Sequence, residues 1–548
     1  MLNHHALFVA LLFPLAASAA APGVVRGKPK LALVVVVDQL RRSDLERLGP
    51  QLTGGFRRLL DQGARIDGHY GQQNTYTAPG HALVLSGSYG YLNGIIQNKY
   101  FDRASGKSLG MLSDADAKYL AGETKPEDEV SPRNFNGSTV GDELRLSTGM
   151  AARAVAVAVK ERGAILLGGR TGSAYFYSEA TGEMTSTTYY MKALPEWATA
   201  FNAAKPADAY FAKSWDRLLP IGAYTLSGAD DTPWEGDVLG LKRTFPHPLT
   251  GGDAKPGPKS YEALTMSPAG VELTFAFARA AFEGEKLGAR GVTDLLAVSV
   301  SSTDLVGHTF GLYSQEYEDV VLATDRALGA FLTYLDGKLG KDGYVVALTA
   351  DHGSAMPPEQ AAKVGLGGVR VKKAAVKTAV QKALEARFGP GEWVVALEDP
   401  AIYLDWKLMA DKKLDHAEVE RVAGEGLLTV PGFVGYATRT ALQNGWLPPT
   451  EAARAVARSF YPARSGDVIA IQAPYSYWGK YGEKDYGGSH GSFYRYDTDV
   501  PLVLAGPPFR PGYYGRREMV DLAATLAQVL AVNPPAACEG EPIQAALR

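Results

Sequence analysis

The chain has 548 residues, 46% of them hydrophobic, which is ample material for a large core with insertions. A formal charge of -3 without a dense basic block excludes a general attraction for nucleic acid or anionic membranes. The single cysteine, Cys538, excludes an intrachain disulfide and has no catalytic signature around it, so core packing or bound metal must hold the fold.

In chain order, residues 1–19 read as a secretory signal peptide. ALFVALLFPLAASA is too short to span a bilayer and ends in an A-x-A pattern at Ala17-Ser18-Ala19, although His4 and His5 stand where Lys or Arg is usual. The protein is therefore expected to be periplasmic or secreted, with no stable membrane insertion. Short apolar runs rich in branched residues then read as buried strands: LALVVVV (31–37), DLLAVSV (294–300), YVVALTA (344–350), DVIAIQA (467–473) and VPLVLAG (500–506). Helical patterns such as VELTFAFARAAFEGEKLG and EDVVLATDRALGAFLTYLDGKLG alternate with them, which predicts an α/β fold on a mainly parallel sheet. Two intervals interrupt the alternation. One, at about 180–260, is rich in Tyr, Trp, Pro and Gly. The other, 361–465, carries the helices AAVKTAVQKALEARFG and DHAEVERVAGEG and reads as an inserted α+β cap, leaving 30–360 and 466–548 as the catalytic core. No fixed-period repeat is present, which argues against a solenoid or propeller.

Ligands of such sheets gather at the C-terminal ends of the strands. LALVVVV is followed by Asp38, DLLAVSV by SSTDLVGH with Asp304 and His308, and YVVALTA by Asp351 and His352. Each has a bland reading: a helix N-cap for Asp38 or Asp351, a polar i, i+4 pair for Asp304 and His308, a turn residue for His490 in GGSHGS. Taken together, the bland reading needs several coincidences at one sheet edge. Mixed Asp and His ligation suits zinc or another borderline divalent ion rather than calcium or magnesium, and the donors suffice for two ions. One set is Asp304, His308 and His490; the other is Asp38, Asp351 and His352, with Thr77 of NTYTAPGHALVLSG supplying a hydroxyl. Metal coordination would lower the hydroxyl pKa as it does for bound water, so no adjacent base is needed. Pro79 suits a first helical turn and places Thr77 at or just before an N-cap, where an anion is favoured. Thr75 and Tyr76 are weaker candidates, and an ordinary N-cap is the bland alternative for Thr77.

TYTAPGH, the strand-terminal Asp38, Asp304-x-x-x-His308, Asp351-His352-Gly353 and the late GSHG resemble the alkaline phosphatase superfamily. The likeness is to its threonine-nucleophile zinc alkaline phosphatases, of the PafA or SPAP type, and runs from residue 30 to the C-terminus. It implies a three-layer α/β/α fold, two Zn2+ ions in the sets above, and Thr77 as the residue that is phosphorylated. It also implies that Asn98 in IIQNKYFD and Lys160 with Arg162 in VAVKERG contact the phosphoryl oxygens. The pattern AVAVAVK reads as a strand that would turn Lys160 and Arg162 to one face.

The expected activity is phosphate monoester hydrolysis by a monomer acting on small molecules. Three carboxylates and an alkoxide balance two divalent ions, and Lys160 with Arg162 then match a dianion. A diesterase or nucleotide pyrophosphatase of the same fold is the enzymatic alternative, and a silent binding protein the non-enzymatic one. A serine-nucleophile phosphoglycerate mutase fits the signal peptide badly. TAPGH lacks the Cys/Ser-x-Pro-x-Arg pattern of sulfatases, and His81 within it is expected to pack the helix or support a ligand, not to bind metal.

Overall fold

The computed structural model describes residues 27–122 and 129–548, so the predicted signal peptide lies outside the described residues. A nine-stranded sheet forms the centre, in the order Gly512–Glu518, Ala64–His69, Asp499–Ala505, Tyr344–Thr349, Leu31–Val37, Asp294–Val300, Ala154–Ala158, Ser173–Ser178, Glu183–Thr185. Only Asp499–Ala505 and Glu183–Thr185 run against the others. Leu31–Val37, Asp294–Val300 and Tyr344–Thr349 are buried along their whole length, which is why their sequences are continuously apolar and do not alternate. Helices Pro268–Gly284 and Gln315–Leu339 supply much of the apolar packing against this core.

Register makes the functional edge. Val36 pairs with Ser299 and with Thr349, and Ser299 pairs with Ala158. Four adjacent parallel strands therefore end nearly level, and the residues just past them, Asp38, Ser301 to Asp304, Asp351 and Lys160, are delivered to one place.

The cap has its own antiparallel sheet, ordered Val394–Glu398, Ala401–Leu404, Val468–Gln472, Phe433–Thr438. Helices Lys373–Phe388 and His416–Leu428 complete a separate small core around Trp393, Val419 and Trp478. This corrects the strand assignment of DVIAIQA, which belongs to the cap sheet and not to the central one. The cap core accordingly reaches past residue 465 as far as Trp478. The interval at 180–260 forms short helices and the two-stranded pair Ser214–Trp215 with His247–Pro248. Among the described residues no helix is long and apolar enough to cross a membrane.

Candidate active site

Helix Thr77–Ser86 begins one residue earlier than expected: Tyr76 is its N-cap and Thr77 its first residue. Pro79 stands in the first turn, where a missing N–H costs no helical bond. Gly80 is required by close packing, because a Cβ there would lie 2.1 Å from the Asp351 carbonyl oxygen. That contact seats the helix start directly on the end of strand Tyr344–Thr349. Thr77 is 2% exposed, with Oγ1 3.5 Å from His352 Nε2. Thr75 is already engaged, its hydroxyl donating to the Ser492 carbonyl at 2.8 Å.

Three histidines share one arrangement. His308, His352 and His490 each donate from Nδ1 to a backbone carbonyl, of Gly488 at 2.8 Å, Gly353 at 2.9 Å and Thr75 at 2.6 Å. These bonds fix the tautomer and turn every Nε2 lone pair inward, as metal ligation requires. Asp304 Oδ1 lies 3.2 Å from His308 Nε2 and 3.5 Å from His490 Nε2, and the two nitrogens are 3.3 Å apart. Ligands about 2.0–2.1 Å from one tetrahedral ion stand roughly 3.4 Å from each other. Asp304, His352 and His490 also place ligand atoms within 4.8 Å of one another, as do Asp38, His81 and Asp351. His352, expected beside Asp38 and Asp351, lies between the two groups: its ring stacks on His490 at 3.6 Å, and its Nε2 is 3.2 Å from Asp351 Oδ2.

The carboxylates are held from behind. Gln39 donates its backbone N–H to Asp351 Oδ1 and its amide to Asp304 Oδ1, both at 3.1 Å, and Ser299 Oγ donates to Asp38 Oδ1 at 2.8 Å. Gly307 leaves room for this Gln39 side chain, since a Cβ would come within 1.7 Å of its Oε1. Asp351 Oδ2 is buried without a hydrogen-bond partner, 3.2 Å from His352 Nε2. A buried carboxylate oxygen without a hydrogen-bond partner, beside the inward Nε2 of His352, is the donor set a divalent cation would complete.

His81 lies beneath Asp38 and Asp351 with both nitrogens engaged, Nδ1 on the Thr77 carbonyl and Nε2 on Ser299 Oγ, each at 2.9 Å. No lone pair is left for a metal. Burial disfavours its charged form, but the Asp38 and Asp351 carboxylates outweigh burial and lift its pKa to about 10. Burial also pushes Asp304 and Asp351 up, and their neighbours overcome it: the His308 imidazole and the Lys160 ammonium hold Asp304 well below the usual carboxylate range, and His352 with the charged His81 do so for Asp351. Burial, with His352 nearby, drives His490 down to about 3.

The reading of AVAVAVK as one strand requires correction. The strand stops at Ala158, Lys160 is the N-cap of helix Glu161–Gly168, and Arg162 sits in its first turn. Both still line the same cavity of about 870 Å³ as Thr77, Asn98, Asp304, His308 and His490. Lys160 Nζ contacts Asp304 Oδ2 and lies 3.3 Å from Asp38 Oδ2, bridging the two groups. Arg162 donates to Glu161 at 2.9 Å, and its Nε is buried without a partner. Asn98 accepts from the Ala78 N–H at 3.0 Å, which ties it to the helix that carries Thr77.

Several residues of the site carry no mark in the sequence. Gln39, next to Asp38, was within reach of the strand-end rule. Tyr481, stacked on His308 at 4.1 Å, and Asp497, whose Oδ2 accepts the Gly491 and Ser492 N–H groups at 3.1 and 2.8 Å, are brought in only by tertiary folding. Lys480 adds a further cation to the cavity wall.

Comparison with known proteins gives a consistent set. The model of the Type I phosphodiesterase / nucleotide pyrophosphatase family matches residues 32–493. A Myroides odoratus protein named calcium-transporting ATPase is 35% identical over 534 residues, covering 95% of each chain. Alkaline phosphatase PhoV of Synechococcus elongatus is 34% identical over 521 residues, 94% of this chain and 92% of that one. Alkaline phosphatase PafA of Elizabethkingia meningoseptica is 33% identical over 526 residues, 94% of each chain. A crystal structure of wild-type PafA superposes with a TM-score of 0.88 at 32% identity, covering 95% of this chain and 99% of that one.

Proposed function

The chain belongs to the type I phosphodiesterase / nucleotide pyrophosphatase family within the alkaline phosphatase superfamily, and from that premise we propose that it works through a phosphothreonine on Thr77. It is a phosphoric monoester hydrolase, an alkaline phosphatase. The observation that carries the mechanism is the convergence of Thr77 Oγ1, three inward Nε2 atoms and the Asn98, Lys160 and Arg162 side chains on one cavity. The residue types substituted in a four-fold PafA variant, threonine, asparagine, lysine and arginine, fall in the same order and spacing as Thr77, Asn98, Lys160 and Arg162.

Asp304, His308 and His490 would hold one divalent cation and Asp38, Asp351 and His352 the other, zinc by their mixed nitrogen and oxygen donors, and the pair supplies Lewis acidity that activates hydroxyl and water and offsets carboxylate charge. Thr77 Oγ1 attacks phosphorus, and the bond to the ester oxygen breaks. The proton Thr77 gives up is matched by the one the leaving alcohol takes. Water then displaces Thr77 from phosphorus, releasing inorganic phosphate and restoring the hydroxyl. Asn98, tied to the helix start, orients one phosphoryl oxygen; Lys160 and Arg162 face the other two, where charge persists through transfer. His81, Gln39 and Ser299 keep the carboxylates in place. The N-terminal sequence supports export to the periplasm or medium.

The family also includes diesterases, and Lys160 with Arg162 weigh against that activity here, because a diester presents one charged oxygen fewer. The test is the ratio of kcat/KM for an aryl phosphate monoester to that for its methyl diester. The double variant Lys160→Ala/Arg162→Ala should lose roughly three or more powers of ten on the monoester and much less on the diester. An unchanged ratio would assign the pair a structural role.

A further inference from the structure

We propose that the cleft between the cap helix Glu451–Arg458 and the edge strand Gly512–Glu518 is a second anion site, taking a small oligoanion with two or more phosphate-like groups. The cleft encloses about 590 Å³ and does not include the residues assigned to catalysis. Its walls carry Arg454 and Arg458 from the helix, Arg516 and Arg517 from the strand, and Arg495 beside Phe493 and Tyr494. Against these five guanidiniums stand two lining carboxylates, Glu451 and Glu518, in a chain whose formal charge is -3.

The arginines differ in how far they are satisfied. Arg458 pairs with Glu518 at 3.1 Å and donates to the Gly71 carbonyl at 3.2 Å; Arg516 lies 3.7 Å from Asp499. Arg454, Arg495 and Arg517 form no ion pair among the described residues, and Arg454 donates one N–H to the Pro449 carbonyl at 3.4 Å. Arg454 and Arg458 stand at i, i+4 on the helix, and Glu518 pairs with Arg458 and not with Arg454. Guanidinium binds phosphate oxygens through paired donors, and the three without an ion pair come from separate elements. A single phosphate could engage one wall; a ligand with several anionic groups spans from cap to core. The volume suits a small molecule and not a polymer.

Occupancy would also act on the segment before Thr77. Gln73 donates its backbone N–H to the Ala455 carbonyl at 3.0 Å, so the same cap helix holds the loop that leads to the nucleophile. The site does not depend on the phosphatase reading and can be tested apart from it.

The experiment uses the metal-loaded Thr77→Ala chain, which cannot be phosphorylated, with inorganic tripolyphosphate at about 0.15 M salt, followed by amide hydrogen exchange. Exchange should slow in residues 451–458 and 512–518 as well as near residue 77. Adding Arg454→Glu and Arg517→Glu should remove the protection in the cleft segments, weakening that binding by roughly tenfold or more, and leave the effect near residue 77. In the Thr77 chain the same pair should keep monoester turnover within about twofold. Arg495→Ala removes an exposed side chain that makes no ion pair, so folding is not in question, and it should weaken the cleft effect too. Orthophosphate should protect only the active-site segments. Tripolyphosphate protection confined to those segments, or surviving the double substitution, overturns the proposal; equal cleft protection by orthophosphate overturns the requirement for an oligoanion.

Discussion

His308 Nε2 lies 3.2 Å from Asp304, and His247 Nε2 lies 3.2 Å from Glu316; both pairs are buried, and each histidine gives its Nδ1 proton to a backbone carbonyl. At the strand ends the neighbours of the first pair hold Asp304 ionised, burial notwithstanding. Around the second pair burial prevails. It lowers His247, raises Glu316 far above the carboxylate range, and with Glu316 beside it raises Glu235 to about 9. With Nδ1 the donor, His247 Nε2 is an acceptor, so the proton between the pair sits on Glu316. Asp319 is also raised by burial, although it accepts from Trp215 Nε1 at 2.7 Å and from the Leu218 N–H at 2.7 Å. Imidazole facing carboxylate at the same distance thus makes a neutral packing cluster in one place and an ionised, ligand-ready one in the other. What separates them is countercharge: Lys160 and His81 contact the carboxylates at the strand ends, whereas Arg217 near Glu316 is paired with Asp230 at 2.8 Å and Glu235 adds a further carboxylate.

If that distinction is functional, the largest effect falls on the nucleophile. Thr77→Ala should lower kcat/KM on monoesters by roughly four powers of ten while bound metal stays unchanged, and Thr77→Ser should keep a substantial part of the activity. Loss of metal together with activity would mean that the variant reports a collapsed site instead. Chelation sharpens the contrast next. Stripping metal should abolish turnover and lower Tm by roughly 5–10 °C, because the strand-end carboxylates then repel one another, and zinc should restore both. Full activity in a sample that contains no transition metal by elemental analysis would break the account of the strand-end cluster.

The smallest effect belongs to the neutral cluster. Glu235 has a folded pKa of about 9 against an ordinary 4.5. The folded chain keeps a proton that the unfolded chain releases, so this contribution is full below the ordinary value and is lost as pH rises through the folded one. Glu235→Gln should therefore flatten the decline in stability between about pH 5 and 9 and favour the variant by a few degrees in Tm at the alkaline end. Parallel profiles for the two proteins would show that Glu235 is not buried as an acid.

Much of the strand-end cluster can be read from the sequence because continuous apolar runs mark buried parallel strands, and the residue just past such a run has a defined place at the sheet edge. Asp38, Asp304 and Asp351 are all found this way. The limits are physical as well. AVAVAVK has no feature that marks where the strand gives way to a helix, so the local setting of Lys160 and Arg162 is misread even though both reach the cavity. DVIAIQA is as apolar as a core strand, and a five-residue strand carries no information about which of two sheets it will join. His81 can be seen as a helical histidine, but that both of its nitrogens are engaged depends on Ser299, 218 residues away. Asp497 and Tyr481 obey no period and sit at no strand end; only the folded chain sets them against the His490 loop and His308.

The central claim, that Thr77 carries the phosphoryl group, is tested most directly by acid-quenching the enzyme during turnover of a phosphate monoester and locating phosphate by peptide mass spectrometry. The account requires a phosphorylated peptide with the modification on Thr77, absent from Thr77→Ala. Phosphate on Thr75, or a Thr77→Ala protein that still turns over substrate at near wild-type rates with no covalent intermediate, would contradict it.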